Sequence, residues 1–154
     1  MAEIGFYHLT RTEADQALPA LLGRTLNSGN RAVVICRGLE RVAALDAALW
    51  LCTDPDWLPH GSTAAADADL QPIWLTEADQ APNGARFLFL LDGMQSARLA
   101  EFDRVFDLFD GRDPDAVASA RERWKQAKAG GHAITYWQQT GTGWQKGATE
   151  AATP

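Results

Sequence analysis

A three-layer α/β domain, with a mainly parallel sheet between helices on both faces, is what the order of segments in this sequence predicts. Short apolar runs alternate with longer segments of helical periodicity, the pattern of strands joined by helical crossovers. Two of the runs, Ala32 to Cys36 and Phe87 to Leu91, are continuously apolar, as strands buried on both faces must be. The chain has 154 residues, 46% of them hydrophobic and 22% charged, which suits one globular domain able to bury its own core.

Glu3 to Leu9 reads as the first strand. Thr12 is placed to cap a helix over Glu13 to Leu26, where Ala17, Leu18, Leu21 and Leu22 recur at helical spacing and Pro19 is the one discordant residue. Asn27-Ser28-Gly29-Asn30 is turn chemistry, and Arg31 to Cys36 follows as a buried strand. Leu39 to Leu51 is a helix with Leu39, Val42, Ala43, Leu45, Leu49 and Trp50 mostly on one side. Gly61 to Leu70 reads as a solvated loop before a strand at Pro72 to Leu75. Phe87 to Leu91 is a central strand, Leu99 to Phe102 a short helix, and Arg104 to Phe109 another strand. Asp113-Pro114 starts a helix over Asp115 to Ala129 that Gly130-Gly131 stops. Ile134 to Gln138 is a last strand. Residues 1–140 thus form one domain, and the Gly, Thr and Ala content of 141–154 reads as a flexible tail, in which Trp144 is out of place.

Composition excludes several functions. A formal net charge of −6 is wrong for binding duplex DNA over a broad basic surface. Two cysteines cannot frame a disulfide scaffold, and Cys36 lies inside an apolar run, as a reduced core thiol would. No apolar run approaches the roughly 18 residues that span a bilayer, so neither membrane association nor export is expected, and the expected compartment is the cytoplasm.

An alternating α/β chain invites a nucleotide-binding reading, and the loop after the first strand tests it. That loop, Thr10-Arg11-Thr12-Glu13, has no glycine to let the backbone approach a pyrophosphate, so no nucleotide cofactor is expected. His8, His60 and His132 are scattered with no metal-ligand spacing, and no metal is expected. Asp92, Asp107 and Asp110 fall near strand ends, where α/β enzymes place catalytic carboxylates. They sustain a small hydrolase as the alternative function, although no nucleophile elbow or paired base accompanies them.

The strongest electrostatic signal is Arg121-Glu122-Arg123-Trp124-Lys125-Gln126-Ala127-Lys128, with four basic residues against one acid in an acidic chain. At the helical angle of about 100° per residue, Val117, Arg121, Trp124, Lys125 and Lys128 share one face and Arg123 turns to the other. Three cations around one indole suit a short peptide carrying carboxylates and an aromatic end. Trp50 and Trp57, with Leu58 and Pro59 and the loop stiffened by Pro55 and Pro59, suit an exposed aromatic patch for a second protein.

Leu45-Asp46 through Leu49-Trp50, followed by Trp57-Leu58-Pro59-His60, resembles the L-D-x-x-L-W and aromatic-x-P-H signature of the chi subunits of bacterial DNA polymerase III. Phe6-Tyr7, the apolar strand before Arg37, and Ala120-Arg121-Glu122-Arg123-Trp124-Lys125 match in order and spacing, so the resemblance runs to about Trp137. It implies a nucleotide-binding-like α/β fold without a nucleotide site, and a non-catalytic role. Chi bridges its clamp-loader partner psi to the acidic, Pro-Phe-terminated tail of single-stranded-DNA-binding protein. Arg121, Trp124 and Lys125 match the tail-binding positions, with Trp124 where a tyrosine is familiar and Val117 at a position otherwise basic. Trp50 and Trp57 match the aromatic positions that face psi. The expected partners are therefore the tail of single-stranded-DNA-binding protein and a psi-like subunit or helicase.

Overall fold

The computed structural model describes residues 2–53, 55, 57–62 and 67–150, the last three as backbone alone. Its strands are β1 (Glu3–Leu9), β2 (Ala32–Ile35), β3 (Gly61–Ser62), β4 (Ile73–Thr76), β5 (Phe87–Leu90), β6 (Arg104–Asp110), β7 (Ala133–Gln139) and β8 (Trp144–Glu150). The helices are α1 (Ala14–Asn27), α2 (Leu39–Leu51) and α3 (Pro114–Ala129), with 3-10 turns at Ala68–Leu70 and Leu99–Glu101. The strands form one sheet in the order β3-β4-β2-β5-β6-β1-β7-β8, parallel throughout except for the β7–β8 pair.

Because side chains alternate across a strand, each central strand feeds two cores. Tyr7 and Leu9 of β1 join Leu18, Leu22, Leu45 and Leu49 under α1 and α2. Ile4 and Phe6 point the other way, with Val105, Ala120, Ala127 and Ile134 under α3. Phe89 stacks on Phe106 at 4.3 Å between ring centres, a tight contact in the middle of the first core. The expected three-layer α/β architecture is what the chain adopts. Cys36 is fully buried and its thiol is pushed up to about 11, chiefly by burial, so it behaves as a packing residue.

Local differences from the sequence reading have physical causes. The cap of α1 is Glu13, whose N–H donates to the Gln16 side-chain oxygen at 3.1 Å, because the Thr12 hydroxyl already accepts from the Gln139 amide at 2.7 Å. The helix runs through Pro19, which is buried against the core. The segment read as a loop contributes β3, paired parallel to β4; positions 63–66 of that loop lie outside the described residues. Part of the expected tail is also structured: Trp144–Glu150 pairs antiparallel with β7, and Trp144 meets Tyr7 edge-on at 5.0 Å. Covering a core aromatic is the reason the tryptophan stands there. Residues 151–154 of the same expected tail lie outside the described residues.

Candidate functional site

The β1–α1 loop is where a phosphate would sit in a nucleotide-binding relative of this architecture. Here the backbone N–H groups of Thr10, Arg11 and Thr12 all donate to the Gln139 side-chain oxygen, at 3.1, 2.9 and 3.1 Å. The Thr10 hydroxyl donates to the Gln139 carbonyl at 2.9 Å. One glutamine at the end of β7 therefore satisfies the donors that an anion would require.

The three strand-end aspartates each have an arginine. Asp92 receives Arg41 Nε at 3.1 Å and the Arg37 N–H at 3.1 Å. Asp110 is held ionised, chiefly by the Arg112 backbone N–H at 2.9 Å. Asp107 is buried and forked by Arg123 at 2.6 and 3.0 Å. Burial pushes the Asp107 carboxyl up, and the guanidinium opposes that shift. No group of three or more His, Cys, Asp or Glu side chains among the described residues is arranged to hold a metal ion.

Arg123 revises the reading of the basic helix. It turns away from the Arg121 face as the helical angle predicts, but it is 6% exposed and its guanidinium also donates to Ser119 at 2.7 Å. One of the four cations of the charge run is thus neutralised inside the protein. Lys125 has an exposed partner in Glu122 at 3.3 Å, a contact worth little in water.

On the outer side of α3, Val117, Ala120, Arg121, Trp124 and Lys125 border a cavity of about 450 Å³. Register supplies its floor. Phe6 lies opposite Tyr136 in the β1–β7 ladder, and His8 opposite Phe109 in the β1–β6 ladder, so all four side chains emerge on the α3 side. Trp124 is half-buried, its ring 5.2 Å from Phe6, which makes it a rigid wall with one face spent on the core. The arrangement is an apolar slot with cations at the rim. Of the residues placed on this face from the sequence, Val117, Arg121, Trp124 and Lys125 come together there and Lys128 does not border the cavity. The floor residues escaped the sequence reading because strand residues in a buried sheet look like core. Their alternate spacing on β1 was the available signal.

At the opposite side, Trp50 ends α2 at 58% exposed and Trp57 follows at 69%, beside Leu51 at 80%. The loop that carries Trp57 is pinned from within. Leu58 is buried in the core, and His60 Nδ1 lies 2.6 Å from the Leu58 carbonyl. His60 Nε2 is 3.1 Å from Asp46, without the alignment of a hydrogen bond, and Trp50 packs 4.5 Å from the imidazole. Leu58 accordingly supports the patch instead of facing a partner, whereas the two tryptophans and half-buried Pro59 face outward. Position 56 beside Trp57 lies outside the described residues.

The family model of the DNA polymerase III chi subunit, HolC, matches residues 1–135. The chain belongs to the DNA polymerase III chi-subunit family. The match takes in β1 through α3 and the first three residues of β7, and with them the Trp50–Trp57 patch and every residue bordering the α3 cavity except Tyr136. A protein described as a probable DNA polymerase III subunit chi, from Rickettsia prowazekii (strain Madrid E), is 23% identical over 109 residues, covering 71% of this chain and 66% of its own length. As a chi-family fold, the chain carries no helix among its described residues long and apolar enough to cross a membrane.

Proposed function

We infer that the protein is a non-catalytic accessory subunit of a DNA polymerase III assembly in the cytoplasm. It holds the acidic C-terminal tail of single-stranded-DNA-binding protein in the α3 cavity and docks a psi-like clamp-loader subunit or a helicase on the Trp50–Trp57 patch. The observation that carries the reading is the cavity itself: a half-buried indole over an apolar floor, with Arg121 and Lys125 at the rim. An aromatic terminal side chain suits the slot and carboxylates suit the cations, which is the chemistry of an acidic peptide with a Pro-Phe end. Family membership and the separation of the two surfaces support a bridging role. The pairing of Asp92, Asp107 and Asp110 with arginines favours structural roles for them over hydrolysis.

Calorimetry with the organism's own tail peptide tests the proposal. Binding should be saturable without metal or nucleotide and weaken as salt rises, because charges at the rim are screened over about 8 Å at physiological ionic strength. Absence of binding, or copurifying nucleotide hydrolysis lost on mutating Asp92 or Asp110, would overturn it.

A further inference from the structure

The floor of the α3 cavity holds a titratable pair that a simple apolar slot would not need. His8 Nδ1 is hydrogen-bonded to the Tyr136 hydroxyl, and the imidazole lies 5.1 Å from the Phe109 ring. Its far edge rests on Gly111, where an added Cβ would overlap Cδ2 and Nε2 of the ring. Gly111 is itself fixed by donating its N–H to the Leu9 carbonyl at 2.7 Å. The imidazole is thus held on three sides while both His8 and Tyr136 border the cavity.

We propose that His8 and Tyr136 form a proton-dependent donor that selects a carboxylate-bearing aromatic peptide end in this cavity, an inference that rests on the tail-peptide function above. When the imidazole is protonated both ring nitrogens are donors, so Nδ1–H must donate to Tyr136. The phenolic O–H is then released to donate to a carboxylate oxygen, and a third positive charge joins Arg121 and Lys125. Burial pushes the Tyr136 pKa up, so it remains a hydroxyl throughout the range in which histidines titrate.

The charged groups around His8 set the balance. Asp110, at the end of β6, lies near the imidazole, and Arg112 beside it shares that carboxylate at 3.2 Å. Arg121 and Lys125, from α3, bring two cations to the same cavity. An incoming carboxylate offsets those two cations, so ligand binding and proton uptake at His8 reinforce each other.

The test is a titration at pH 8 and pH 6 with two probes, a synthetic Asp-Asp-Asp-Pro-Phe peptide with a free C-terminus and N-acetylphenylalanine. The wild type should bind each probe roughly fivefold tighter at pH 6, the gain from the one added hydrogen bond that the released phenol makes to the carboxylate. His8→Gln should lose the pH dependence, Tyr136→Phe should reduce it, and Gly111→Ala, which displaces the ring without removing it, should blunt it. A fivefold gain that survives His8→Gln would overturn the inference, as would failure of both probes to bind at either pH. Binding of N-acetylphenylalanine with a His8-dependent profile, but none of the peptide, would support the proton-dependent cavity and overturn the tail-peptide function instead.

Discussion

Arg121 and Arg123 stand two residues apart on α3 and occupy opposite environments. Arg123 faces the sheet, where Asp107 on β6 meets it with both oxygens and Ser119 takes a third bond. Arg121 faces outward over Phe6, His8, Phe109 and Tyr136, at the rim of a cavity. The inner region spends its charge on holding α3 to the sheet, whereas the outer region leaves charge at the edge of an apolar slot for something else to use. The role of a helical charge is therefore set by what the strand beneath it presents, and helix position alone tells only which strand that is.

The largest expected effect tests the inner region. Arg123→Ala leaves the Asp107 carboxylate buried and unpaired, and should cost about 3–5 kcal/mol of folding stability by denaturant titration. Replacing both partners with apolar residues, Asp107→Leu with Arg123→Met, should recover much of that loss. A single-variant cost below about 1 kcal/mol would erase the distinction between the two sides of α3. Arg123→Ala is consequently unfit as a surface control for binding.

The outer region should respond in affinity. Trp124→Ala should weaken the tail peptide by on the order of 2 kcal/mol, and Arg121→Ala comparably if the guanidinium forks a carboxylate. Calorimetry reads both, and equal affinities for wild type and Trp124→Ala would remove the indole as an anchor.

The Trp50–Trp57 patch extends the comparison to a surface with no cavity. Trp57→Ala should abolish pull-down of the second partner while changing stability by less than about 0.5 kcal/mol, since the side chain is 69% exposed. Tail affinity should stay within about twofold, because distant sites act additively. Loss of both interactions together would count against two separate surfaces. The smallest effect is reserved for Lys128→Ala, which should change tail affinity by less than about 0.5 kcal/mol because Lys128 does not border the cavity.

Much of the fold was legible in the chain. Continuous apolar runs and helical spacing located α2 to the residue, α3 and most strands within a residue or two, because burial on two faces and the 3.6-residue turn write themselves into local composition. The helical angle also separated Arg123 from Arg121 correctly. Trp50 near the end of α2 and Trp57 in the loop after it were legible as exposed because Trp57, a large apolar residue between prolines in a short loop, lies outside any helical or strand periodicity, and Trp50 stands one residue from the helix end that leads into that loop.

What local pattern does not carry is pairing across the chain. Register placed Phe6 beside Tyr136 and His8 beside Phe109, building a cavity floor from residues that individually look like core. Pairing with β7 turned an apparent tail into β8 and gave Trp144 its place on Tyr7. The same long-range contacts sent Gln139 into the β1–α1 loop and Arg123 onto Asp107. By itself the sequence determined most of the elements, their faces and the absence of a glycine loop, since these depend on residues near one another along the chain. Which side chains close a loop, neutralise a charge or floor a cavity was decided by tertiary structure, because each depends on a partner 16 to 130 positions away.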